Sequence, residues 1–187
     1  MRFASLAGVL MLCGTSVQAS PVDEFWERMM GLCGKSFGGT LVVAPEASTF
    51  YAGKPLVVQV RKCLDDRIWI PFHVGEDRSQ TWILSRREGR IVLRHDHRQP
   101  DGDESPVTMY GGRATNTGLA GQQFFPADQQ TREMVAASFS NVWMLQVEPG
   151  KTLTYSLWRL GTPRTFRIDF DLSQTVDAPP PPWGWTD

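Results

Sequence analysis

Three histidines occur in this chain, and two of them, His95 and His97, end the run Arg90-Ile91-Val92-Leu93-Arg94-His95-Asp96-His97. On an extended strand side chains alternate, so His95 and His97 share a face with Ile91 and Leu93. Two titratable rings at the inner end of an apolar face suit a ligand anchor or a pair of metal ligands. The rings would stand about 7 Å apart along the strand, close enough to converge on one ion. A metal needs a third ligand, and alternation sets His73 opposite the apolar Ile68, Ile70 and Phe72 unless a bulge at Pro71 changes the register. One inward histidine could also serve as an axial haem ligand; no Cys-x-x-Cys-His occurs, so that haem would be non-covalent. The plainer alternative is a hydrogen-bonded pair near a barrel rim, with Asp96 in solvent.

Other constellations are weaker. Asp101-Gly102-Asp103-Glu104 invites a calcium reading, but an EF-hand loop counted from Asp101 would place Pro106 and Gly112 where glycine and glutamate belong. No Gly-x-Ser-x-Gly elbow is present, and no α/β alternation to carry one. Nothing in the spacing of the acidic residues selects a catalytic pair. The arginines at 78, 86, 87, 90, 94 and 98 cluster in sequence, but Arg90 and Arg94 fall on the outward face, where they could pair with Asp96 or with neighbouring-strand carboxylates; an anionic ligand or envelope surface is the alternative, and a solvated sheet face the commoner meaning. The chain leans towards binding rather than catalysis.

The N-terminus has the layout of an export signal. Arg2 precedes the apolar stretch Phe3–Cys13, and Val17-Gln18-Ala19 offers small residues for cleavage after Ala19. The stretch is too short to span a bilayer, and Leu12 before Cys13 disfavours lipidation. A periplasmic or secreted protein is expected. Cleavage removes one base from 19 and no acid from 20, leaving 18 against 20. That balance is no nucleic-acid footprint. Cys33 and Cys63 would then be the remaining cysteines, and in an oxidising compartment an even pair reads as a disulfide.

The elements that must position His95 and His97 follow from periodicity. Ser20-Pro21-Val22-Asp23 opens a short helix, with Val22, Phe25, Trp26, Met29 and Met30 as one stripe and Gly31 at its end. From Thr40 onward the period becomes two. Thr81–Ser85 and Arg90–His97 form a hairpin around Arg87-Glu88-Gly89. Asn141–Glu148, Thr152–Arg159 and Thr165–Leu172 form a meander, with Pro149-Gly150 as its first turn. Residues 98–140 are less regular, with Met109-Tyr110 as a short strand and a brief helix from Asp128 to Ala137. The Pro/Trp-rich tail, residues 178–187, should run extended across the barrel surface, a protein partner for it being the alternative.

These signals define a mainly β fold: an antiparallel up-and-down barrel or strongly coiled sheet of 8–10 strands, with one early and one late short helix. One domain over 20–177 is expected. The element order, with Gly34-Lys35-Ser36-Phe37-Gly38-Gly39 entering the first strand after a short helix, resembles the calycin group: lipocalins, fatty-acid-binding proteins and nitrobindin-like haem barrels. Those families usually carry Gly-x-Trp at that place, which is missing here, and no functional residue carries across. His95-Asp96-His97-Arg98 and Tyr110-Gly111-Gly112 also resemble segments of exported bacterial proteins without an assigned activity. The expectation is a barrel binding a small apolar or amphipathic ligand, with Trp82, Leu84, Ile91, Leu93, His95 and His97 lining part of its cavity. No cofactor is required by that reading. Its rivals are a metal or haem protein centred on His95 and His97, and an envelope interaction module or secreted inhibitor with a packed interior.

Overall fold

The computed structural model describes residues 19–44 and 50–186. Of the export signal read over residues 1–19, all but Ala19 lies outside the described residues. Helix α1, Pro21–Met30, begins where the capping residues direct: the Ser20 hydroxyl accepts the Asp23 N–H, and the Asp23 carboxylate accepts the Ser20 N–H. Both orphan donors are thereby satisfied. Val22, Phe25, Trp26 and Met29 are buried.

Eleven strands follow, β1 (Ser36–Val43), β2 (Leu56–Gln59), β3 (Lys62–Leu64), β4 (Arg67–Val74), β5 (Asp77–Arg87), β6 (Arg90–His97), β7 (Tyr110–Arg113), β8 (Gln122–Pro126), β9 (Asn141–Glu148), β10 (Thr152–Arg159) and β11 (Thr165–Asp171). They form one antiparallel sheet in the order β7-β6-β5-β4-β2-β1-β11-β10-β9-β8, with β3 added beside β4. The sheet curls into a nearly closed barrel whose two ends, β7 and β8, face each other. Across that seam the Asp128 N–H donates to the Gly111 carbonyl at 3.2 Å. A Cβ on Gly112 would stand 1.8 Å from the Pro126 carbonyl oxygen, and one on Gly111 2.0 Å from that of Leu93. The glycine pair therefore lies inside β7, not after it, because only glycine permits this close approach of backbones.

Alternation builds the interior. In β11 Phe166, Ile168 and Phe170 are buried while Arg167 and Asp171 are exposed. The β5–β6 hairpin turns through Glu88 and Gly89, with φ of 49° and 66°, the geometry of a two-residue type I′ turn. β8 escapes a reading by apolar period because its inward residue beside Phe125 is Gln123, fully buried with its amide donating to the Thr117 and Leu119 carbonyls. The late helix is α2, Gln129–Met134, capped by Asp128 and followed by a 3-10 turn at Ala136–Ser138.

The two ends of the barrel differ. Helix α1 closes one: its Asp23 pairs with Arg86 near the β5–β6 turn, and Arg86 lies over the Trp26 ring. Cys33, just past the helix, is bonded to Cys63 on β3. Their separation of 30 residues corresponds to about 4 kcal/mol of stabilisation in the chain-entropy description. The tail crosses the outer face of β4 and β5. Arg78 donates to the Pro181 carbonyl, the Trp183 N–H donates to the Arg78 carbonyl, and Trp185 packs edge-on against Trp69. His73, outward by parity, is buried on that same face, with its Nε2 lacking a partner among the described residues. Among the described residues no helix is long and apolar enough to cross a membrane.

Candidate functional site

At the end opposite α1, β5 and β6 carry their polar residues inward. The register pairs Gln80 with His97 and Trp82 with His95, while Leu84 faces Leu93 deeper in. Trp82, Leu84, Ile91, Leu93 and His95 are all fully buried. The structure brings these five together as barrel filling, with Trp82 stacked on Tyr155 at 4.2 Å between centroids. Above this layer lies a cavity of about 550 Å³, lined by Tyr51, Phe72, Gln80, Tyr110, Trp143, Tyr155 and Phe166, among others. That volume is ordinary for a small-molecule site. None of the six residues selected from sequence is in its wall. Three stand one shell behind: Trp82 under Tyr155, His95 bonded to Tyr155, and His97 bonded to Gln80 and Tyr110.

The hydrogen bonds define the state of His95. Its Nδ1 lies 3.2 Å from the Tyr110 carbonyl oxygen. A carbonyl only accepts, so Nδ1 carries the proton. Nε2 then accepts from the Tyr155 hydroxyl at 2.9 Å. Burial, reinforced by the neighbouring His97, pulls the His95 pKa down to about 3. The ring is neutral and both nitrogens are engaged, so a metal or haem iron on Nε2 would have to displace the Tyr155 hydroxyl. Among the described residues no three metal-capable side chains converge. His73 belongs to the outer face, not to this pair.

His97 is arranged differently. Its Nε2 is 2.9 Å from the Gln80 amide nitrogen and 3.0 Å from the Tyr110 hydroxyl. His97, Gln80 and Tyr110 thus form one hydrogen-bonded polar cluster at the floor of the cavity. Burial lowers the His97 pKa and raises those of Tyr110 and Tyr155, which keeps the phenols protonated as donors. Asp96 is not in solvent: it is buried and accepts from Arg98 and from the Thr108 hydroxyl. Arg94 pairs with the helix cap Asp128 rather than with Asp96 or a neighbouring strand. With Arg86 held by Asp23 and Arg98 also meeting Glu104, three arginines of the sequence cluster have specific carboxylate partners.

Two residues that sequence reasoning passed over stand at the cavity mouth. Arg159 ends β10 and Arg164 precedes β11; the Arg159 N–H donates to the Arg164 carbonyl at 3.0 Å across the hairpin. Both continue the inward parity of Leu157 and Phe166, and both line the cavity. Alternation extended past the last apolar residue was the signal that could have found them. Comparison of the chain with family models, with curated proteins and with solved structures gives no match. What defines the protein is its own architecture: a nearly closed antiparallel barrel, plugged at one end and hollow at the other.

Proposed function

We propose that this protein is an exported binding protein, folded as one unit from residue 20 onward, that holds a small apolar or amphipathic molecule in the hollow end of its barrel. The observation that carries this reading is the cavity of about 550 Å³, walled by aromatic rings over a polar floor. Apolar walls with a few placed polar groups are what small-ligand sites share. In this reading Gln80 and Tyr110 present the polar floor, and His97 and His95 orient it from behind. Trp82, Leu84, Ile91 and Leu93 hold the wall rigid. The Cys33–Cys63 bond fits an oxidising compartment.

The test is fluorescence titration of delipidated protein with a neutral environment-sensitive dye, together with a Leu157→Trp variant that fills the cavity. Binding with micromolar affinity, lost in the filled variant, is expected. A dye that does not bind, or binds equally to the filled variant, refutes the reading.

A further inference from the structure

The charge of the cavity narrows what it takes. Among the described residues fifteen line it, two of them arginines and none a carboxylate. Among the described residues neither Arg159 nor Arg164 makes an ion pair, while Arg86, Arg94, Arg98, Arg113 and Arg167 each have at least one and the remaining surface arginines do not all have one. Two like charges on one face of a hairpin repel, and an anion placed between them would offset that repulsion. The Arg159 Nε donates to the Asn141 side-chain oxygen at 2.9 Å, which orients the guanidinium and leaves its terminal N–H groups for another acceptor. Burial and the Arg164 charge lower the Arg159 pKa.

The wall is equally specific. Seven of the fifteen lining residues are aromatic. Tyr51 packs on Phe166 at 4.8 Å and Tyr155 is fixed against Trp82. Rigid ring faces and edges reward a flat partner more than a flexible chain, which loses rotamer entropy on entry. We propose that the ligand is a compact ring-bearing organic anion, its acidic head held by Arg159 and Arg164 and its rings lying among Tyr51, Trp143, Tyr155 and Phe166. This rests on the cavity being a binding site, and the two claims fail separately.

The experiment compares two dyes that differ by one sulfonate, 8-anilinonaphthalene-1-sulfonate and neutral N-phenyl-1-naphthylamine, on delipidated full-length protein. The anionic dye is expected to bind about ten-fold tighter or more, the scale of one charge-assisted hydrogen bond. Arg164→Met, at an exposed position, and Arg159→Gln should each remove most of that advantage, read as the ratio of the two dyes' affinities for the same variant. Equal binding of both dyes, or an advantage that survives both substitutions, overturns the anion assignment while the cavity stands. Failure of both dyes to bind overturns the cavity reading itself. As competitors, 2-naphthoate should displace the anionic dye at lower concentration than octanoate; the reverse order overturns the ring preference.

Discussion

Lowering the pH from 7 to 4.5 should cost this fold about 5 kcal/mol, and histidines rather than carboxylates should carry the loss. Burial pulls His95 to a pKa of about 3, and burial with the Arg78 and Arg61 charges pulls His73 to about 4. In the unfolded chain both titrate near ~6.5. Above that value both states are neutral and nothing depends on pH. As pH falls below it, the unfolded state takes up protons that the folded state refuses, so stability drops until the folded pKa is reached. At pH 4.5 the gap spans just under two units for each ring, about 5 kcal/mol for the two together at ~1.4 kcal/mol per unit. His97, also lowered by burial, adds in the same direction. Asp23, Asp128, Asp169 and Asp171 have lowered pKa values. What they contribute is present above the unfolded carboxylate pKa of ~3.9 and is lost as pH falls through their folded values. The window from 7 to 4.5 thus isolates the histidines. Urea unfolding at half-unit intervals measures the loss, expected as a fall of ~2–3 M in midpoint for a slope of ~2 kcal/mol/M. His73→Leu removes a buried nitrogen that has no partner among the described residues, so it should leave stability at pH 7 unchanged or raised and cut the acid loss by about half. A change below about 1 kcal/mol over the window in the wild-type protein would refute the reasoning.

Two further substitutions probe the core and the seam. Tyr155→Phe keeps the stack on Trp82 but deprives the buried His95 Nε2 of its donor, and chemical denaturation should show a loss of about 1–3 kcal/mol; unchanged stability would mean the bond is not made. Gly112→Ala places a methyl 1.8 Å from the Pro126 carbonyl oxygen, backbone against backbone, and should cost at least about 3 kcal/mol by forcing β7 from β8. Gly38→Ala, whose Cβ would meet only Val176 at an ordinary 3.8 Å, is the control and should stay within ~0.5 kcal/mol of wild type. Equal thermal midpoints for the two alanine variants would contradict the seam as described.

Much of the architecture is written in short-range pattern. The Ser20–Asp23 capping box, the type I′ turn at Glu88-Gly89 and the alternation of Phe166, Ile168 and Phe170 are properties of neighbouring residues, so the sequence determines them directly. That His95 and His97 point inward follows from the same two-residue period. Partners and space do not follow from it. Tyr155 lies 60 residues from His95, and only the curl of the sheet brings its hydroxyl to Nε2, which turns a presumed ligand anchor into a satisfied ring behind the wall. Gln123 broke the apolar period of β8, and its burial makes sense only with the Thr117 and Leu119 carbonyls folded over it. Asp96 was placed in solvent by parity, yet Arg98 and Thr108 cover it. The cavity belongs to no segment: it exists because α1 fills one end of the barrel while strand ends from β4 to β11 enclose the other. Local sequence determined most of the strands, though not β8 or the full span of β7, and which way their side chains point. Tertiary closure alone decided how far the side chains reach across the barrel, and hence where it is packed and where it is hollow.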